Sequence, residues 1–298
     1  MPSWEDFKPF IVTGLALGGV YALSGVGMVV LYRATGVLNL AFGAVGAMGA
    51  LLSWQLINHN GWAEGPAFLF CVLFGGAVTL AYGMVFGPPL ARRDPLVKAV
   101  ATLGLTLVLF GLMDLLWTTS GGQSRAITLP TDNGGFTIGQ LQVTWTQVIG
   151  LAAGIAIVVV TEVFLRYTKP GTAMRAMAND REITATLGVP VRRVEAAAWL
   201  GCGVIAGVAG LLLADLVALD ATTLTFLVIS SLAAALIAQL RSIVLTFVAA
   251  MAIGLIHDLV TPIQALSNYR DMTPFVLAAV ALLVASRRQL LSRSREEA

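Results

Sequence analysis

The stretch RYTKPGTAMRAMANDREITATLGVPVRR, Arg166 to Arg193, is a long charged interruption in an otherwise apolar chain. An apolar run lies on each side of it, Val143 to Leu165 before and Val194 to Ala214 after. Each run matches the ~20 residues that a helix needs to cross a bilayer. Within the interruption, Pro170 and Gly171 break the preceding helix, and Thr172 to Ala178 is expected to form one or two helical turns. Asn179 is placed to cap a second short helix, with Glu182 in the capping-box position three residues on. Gly188 suits the position that ends that helix, because without a Cβ it takes a left-handed conformation at no cost. Pro190 suits the first turn of the helix that follows.

On the second short helix, Ile183 and Leu187 are four apart and share a face. Met174, Met177 and Ala178 offer an apolar face on the first, with Arg175, Arg181 and Glu182 supplying charge around them. Read from these residues alone, the segment either docks in a partner's groove or lies as a connecting loop on lipid headgroups.

The composition sets the frame. Of 298 residues, 57% are hydrophobic and 11% charged, with a mean hydropathy of +0.85. Soluble domains carry about 25% charged residues, so the chain reads as a membrane protein. Cys71 and Cys202 lie inside apolar runs, which argues against a disulfide framework, and there is no metal-ligand spacing. The N-terminus, MPSWEDFK, is acidic, so the first apolar run is expected to be a retained helix rather than a signal peptide.

Further candidate spans run from Phe10 to Leu31, Gly36 to Ile57, Ala67 to Leu90, Val97 to Trp117, Leu224 to Leu240, Ile243 to Val260 and, more briefly, Met272 to Ala285. If 166–193 is placed in the cytoplasm and the spans alternate, the inner side holds Arg33, Arg92, Arg93, Lys98, all six basic residues of the segment, Arg241 and the arginines of the tail. The outer side keeps only Lys8, Arg125 and Arg270 of the 18 lysines and arginines. Such an asymmetry is the positive-inside pattern. The expected fold is all-α: a single transmembrane domain over 1–298, a polytopic bundle of eight or nine spans, N-terminus outside and C-terminus cytoplasmic.

Several spans are glycine-rich, with Gly14 and Gly18, and Gly203 and Gly207, at the four-residue spacing that lets helices approach closely in lipid. In the outer loop, Phe136 to Val143 alternates apolar and polar residues around Gly139-Gln140, which predicts a short hairpin. Ionisable residues within spans are expensive and point to function. Asp114, Asp215 and Asp258 fall towards the outer ends of their helices. They either line the mouth of a pathway or reach back to the interface. Asn39, near the inner start of the second span, either packs between helices or lines a gate. Glu162 and Arg166 are spaced as a helix-surface pair, and His59 and His257 stand apart from any ligand set. Nothing pairs a nucleophile with a base, so no catalytic site is expected.

The segment GTAMRAMANDREITATLGVPVRRV, Gly171 to Val194, resembles the cytoplasmic loop of the branched-chain amino acid permeases of ABC importers, the LivH-like group. That loop reads G-x-A-M-R-A-x-A-x-D-x-E-x-A-x-x-L-G-V-x-V-x-R-V. The matching residues are Gly171, Ala173, Met174, Arg175, Ala176, Ala178, Asp180, Glu182, Leu187, Gly188, Val189, Val191, Arg193 and Val194, while Thr184 stands where alanine is common. A second match is GVLNLAFGAVGAMGA, Gly36 to Ala50, which is similar to the family's G-x-x-N-x-A-x-G through Gly36, Asn39, Ala41 and Gly43. One stretch departs: where the family has a G-G-x-G-S turn, this chain has Ala238-Gln239-Leu240-Arg241-Ser242.

The resemblance implies an importer permease in a bacterial inner membrane. It would work with a second, LivM-like permease, two ATPase subunits and an extracytoplasmic binding protein, among membrane lipid and with no nucleic acid. The substrate would be a branched-chain amino acid or a similar small amphipathic solute. Met174, Arg175, Asp180, Arg181, Glu182, Ile183, Leu187 and Gly188 would form the coupling element. Asn39, Asp114, Asp215 and Asp258 are the pathway candidates. The chain lacks GxxxxGK[ST], so it would carry no cofactor, with ATP and magnesium held by the partners. The rival reading is a transporter driven by an ion gradient. Such proteins favour carboxylates and broken helices near the midplane, whereas the carboxylates here sit towards the helix ends.

Overall fold

In the computed structural model, residues 4–91, 93–117, 134–138, 141–217 and 219–263 are described, with isolated positions at 127, 129, 131 and between 272 and 283. The chain runs α1 (Trp4–Thr35), α2 (Phe42–Asn58), α3 (Glu64–Leu90), α4 (Pro95–Trp117), β1 (Gly135–Ile138), β2 (Leu141–Thr144), α5 (Trp145–Tyr167), α6 (Lys169–Asn179), α7 (Arg181–Thr186), α8 (Val191–Leu216), α9 (Ala221–Ile237) and α10 (Ile243–Leu259). Five of these helices, α1, α3, α4, α5 and α8, are long and apolar enough to cross a membrane. Helices α2, α9 and α10 have 17 residues each, about 26 Å at 1.5 Å per residue. That is just short of the ~30 Å hydrocarbon layer. The expected last span, Met272 to Ala285, and the tail beyond it lie mostly outside the described residues.

Burial divides the helices by role. The apolar window of α1 is 89% buried, against 22% for α5 and 28% for α3 and α4. Helix α1 is therefore the spine, packed by α10, α5, α8 and α9, while α3 and α8 pack on each other. The outer faces of α3, α4 and α5 carry exposed large apolar side chains such as Leu73, Leu107 and Val160, as suits surfaces that meet lipid or another apolar chain.

Glycines set the crossings. A Cβ at Gly18 would lie 3.0 Å from Cα of Met251 on α10, and one at Gly207 would lie 2.8 Å from Cα of Val72 on α3. Two crossings that spacing alone does not reveal pair glycine with glycine. Gly19 of α1 faces Gly154 of α5, and Gly46 of α2 faces Gly210 of α8, with backbone on both sides. Little drives helices together in lipid besides close packing and hydrogen bonds, so these contacts hold the bundle.

The second span does not begin at Gly36. Gly36 takes φ +66 and its N–H returns to the carbonyl of Tyr32, which ends α1. Residues 37–41 then run non-helically through the interior, with Val37, Asn39 and Ala41 buried. A buried irregular backbone must have its polar groups satisfied. Here Thr102 of α4 donates to Leu38 O at 2.9 Å and accepts from Leu40 N at 3.1 Å, and Asn39 Oδ1 accepts from Ala41 N at 3.1 Å.

The hairpin forms as expected, β1 and β2 antiparallel with Ile138 opposite Leu141; its turn, 139–140, is outside the described residues. Phe136 and Trp145 meet edge to face at 5.7 Å. Thr144 then starts α5 with a capping box to Gln147.

Candidate functional site

The charged segment is built as two short helices leaning on the bundle. Thr168, not Pro170, is the break. It ends α5 and caps α6 in an extended conformation (φ −103, ψ 149), its hydroxyl accepting from Gly171 N at 3.1 Å and donating to Phe164 O at 2.7 Å. Pro170 falls in the first turn of α6, where its missing N–H costs nothing. Gly171 lets α6 turn back against α5; a Cβ there would collide with Phe164 O and sit 2.7 Å from Cα of Leu165.

Helix α6 is longer than expected, 11 residues, and its apolar face is turned inward. Met174 and Met177 are 3% and 5% exposed and join the hydrophobic core. The apolar face that the sequence offers at Met174, Met177 and Ala178 is divided: the two methionines turn inward and anchor the element, and Arg175, Ala176 and Ala178 face out. The reason is that Gly171, Met174 and Met177 recur every three residues, so they share one stripe.

The cap of α7 is also reassigned. Asp180, not Asn179, is the N-cap, its Oδ1 accepting from Ile183 N at 2.9 Å while its carbonyl accepts from the Thr184 hydroxyl at 2.6 Å. Gly188 ends α7 at φ +82, its N–H bonding to Ala185 O at 3.1 Å. Pro190 is the N-cap of α8 rather than its first helical residue. Ile183 and Leu187 project outward, 59% and 77% exposed, with Glu182 exposed beside them. Arg181 Nε meets Glu195 Oε1 of α8 at 2.9 Å. Glu195 has no place in the sequence reading; only its position at the start of α8, opposite α7, reveals it. Arg166 and Glu162 do pair, at 3.2 Å.

The pathway candidates are dispersed. Asn39 is buried, its Nδ2 3.6 Å from Cys202 Sγ, so it packs between α2 and α8. Asp215 accepts from Leu129 N at 2.9 Å and so ties α8 to the loop before the hairpin. Asp258 meets His257 Nδ1 at 3.1 Å. Asp114 is exposed near the end of α4. Cys71 and Cys202 are buried free thiols. Among the described residues, no group of three or more His, Cys, Asp or Glu could hold a metal ion.

At the same end of the bundle as α6 and α7 lies a cavity of about 690 Å³, walled by the end of α1, the start of α4, the end of α6 and the turn from α9 to α10. Arg33, Lys98, Arg181 and Arg241 line it. The turn that closes it is the stretch that departs from the family pattern. Gln239 and Leu240 are both left-handed, at φ +52 and +57, although neither is glycine. Two consecutive left-handed residues are thus formed here without glycine.

Residues 10–285 match a protein family described as "branched-chain amino acid transport system / permease component". Over 94% of its length, the chain is 27% identical to the high-affinity branched-chain amino acid transport system permease protein LivH of Escherichia coli (strain K12), covering 95% of that protein. It is also 27% identical to a probable branched-chain amino acid transport permease protein LivH of Methanocaldococcus jannaschii, over 85% of this chain and 81% of the other. Over 59% of the chain and 51% of the relative, it is 26% identical to the fructose import permease protein FruG of Bifidobacterium longum.

Proposed function

The chain belongs to the family of branched-chain amino acid transport permease components, and from this premise we propose that it is a permease subunit of an ATP-driven importer, moved by separate ATPase subunits through α6 and α7. It crosses the membrane eight or nine times, with 166–193 in the cytoplasm and the N-terminus outside. A second permease completes the pathway, and an extracytoplasmic binding protein delivers the solute. The substrate is a branched-chain amino acid or a similar small amphipathic solute. The chain carries no phosphate-binding GxxxxGK[ST] sequence, so ATP and magnesium act on the partner chains.

The observation that carries this reading is the two-sidedness of the α6–α7 element. Met174 and Met177 root it in the core, while Ile183 and Leu187 stand out from it unburied. A short helix that is fixed on one side and apolar on the other suits a groove in a moving partner. The partner's motion then passes through the Met anchors and the Arg181–Glu195 pair to α1, α5 and α8 as a rigid-body shift. Asp180 and Gly188 set the start and stop of α7, and Arg175 and Glu182 supply charge beside the apolar ridge.

The test is co-purification from detergent of wild type and an Arg175→Glu, Leu187→Asp double variant. Wild type is expected to retain an ATPase subunit, and the folded variant to lose it. An ATPase retained equally by both, or absent from wild type under gentle conditions, overturns the docking role.

A further inference from the structure

The lined cavity beside α6 holds a cation that no carboxylate touches among the described residues; Glu195 attracts it through space but is already in contact with Arg181. Lys98 is only 8% exposed, and its ammonium has no hydrogen-bond or ion-pair partner among the described residues. It points to the cavity next to Gly36, with Nζ 3.5 Å from where a Cβ on that glycine would sit. The side chain is largely buried and its ammonium opens to the cavity, so an anion placed there would meet a cation with few competing partners. Arg33 and Arg241 line the same cavity and likewise have no carboxylate partner among the described residues. Arg181 is the exception, being neutralised by Glu195.

Helix dipoles do not balance this charge. The C-terminal ends of α1, α6 and α9 converge on the cavity, and each contributes roughly half a negative charge. Three unpaired cations therefore exceed the dipoles by more than one unit. The volume, about 690 Å³, is ample for a phosphate group with its substituents. Basic pockets between membrane helices on the cytoplasmic side are suited to anionic lipid headgroups.

We propose that this cavity binds a phosphate group, with Lys98 at its floor and Arg33 and Arg241 at its rim. A phosphate there bridges α1, α4, α6 and the α9–α10 turn, and so stiffens the base on which α6 and α7 stand. The inference rests on the functional reading in one respect, that this end of the bundle faces the cytoplasm.

The full chain, purified in neutral detergent, is titrated with phosphatidylglycerol, with phosphatidylcholine and with inorganic phosphate. Bound lipid is counted by native mass spectrometry, and thermal stability is followed in parallel. Phosphatidylglycerol is expected to bind and stabilise where phosphatidylcholine does not. Lys98→Gln and Arg241→Gln are each expected to weaken binding about fivefold. Arg241 is exposed, so its variant keeps the test valid if Lys98→Gln misfolds. Stabilisation by inorganic phosphate, competing with the lipid, identifies a soluble phosphate compound as the ligand; its absence identifies the lipid. Equal retention of both lipids without a phosphate effect, or binding unchanged in both variants, overturns the proposal. The Arg175→Glu, Leu187→Asp variant leaves Lys98, Arg33 and Arg241 in place, so failure of docking and failure of this site are read separately.

Discussion

Arg181 of α7 and Glu195 of α8 meet across the Gly188 turn, Nε to Oε1 at 2.9 Å, and join the short helix to a long one. Arg181 is 39% exposed at its side chain, so the pair adds no more than about 1 kcal/mol to stability. In the proposed function its role is to carry motion from α7 to α8. Glu195→Gln is expected to leave ATPase co-purification intact while uptake by the assembled complex falls severalfold. Exchanging the charges, with Arg181→Glu and Glu195→Arg together, is expected to recover part of that loss. Uptake unchanged in the single variant would show that α7 does not act through α8.

Thr102 stands in for a helix's own hydrogen bonds at the buried segment 37–41. Thr102→Val keeps the shape and removes the hydroxyl that Leu40 N and Leu38 O use. The expected loss is about 1–3 kcal/mol, seen as an earlier thermal transition of the detergent-solubilised chain. A transition at the wild-type temperature would mean that water satisfies these groups.

The glycine crossings predict a contrast between two substitutions. Gly154→Val places a Cβ against Gly19, 2.6 Å from its Cα, so α1 and α5 must separate. The expected outcome is poor yield and a loss of at least about 1–3 kcal/mol. Gly104→Ala meets open space and is expected to be neutral or to stabilise by up to about 1 kcal/mol. Size-exclusion profiles and melting temperatures of the two variants check this.

Gln239 is exposed and left-handed at φ +52. Gln239→Gly removes the clash of Cβ with the neighbouring carbonyl and is expected to stabilise the chain by about 1 kcal/mol. Measured thermal stability below that of wild type would mean that the Gln239 side chain makes a compensating contact.

The chain's apolar runs, its acidic N-terminus, the hairpin around 139–140 and the stop at Gly188 were legible from sequence, because each depends on residues within a turn or two of one another. The family pattern over Gly171 to Val194 was legible for the same reason. Local preference also misplaced features by a residue or two. Thr168 makes the break expected at Pro170 and Gly171, and Asp180 caps where Asn179 was expected, since several neighbouring residues can serve and only the packing of α6 decides among them. The inward turn of Met174 and Met177 was open in the sequence, where an apolar stripe looks the same whether it meets its own core or a partner. Only the tertiary structure settled it, by laying α6 on α1 and α5. The same holds for Gly19 with Gly154, for Thr102 with the buried segment, and for Lys98 with Arg33 and Arg241. These residues come from helices far apart in the chain, and their meeting is fixed by how the helices cross, which no local pattern encodes.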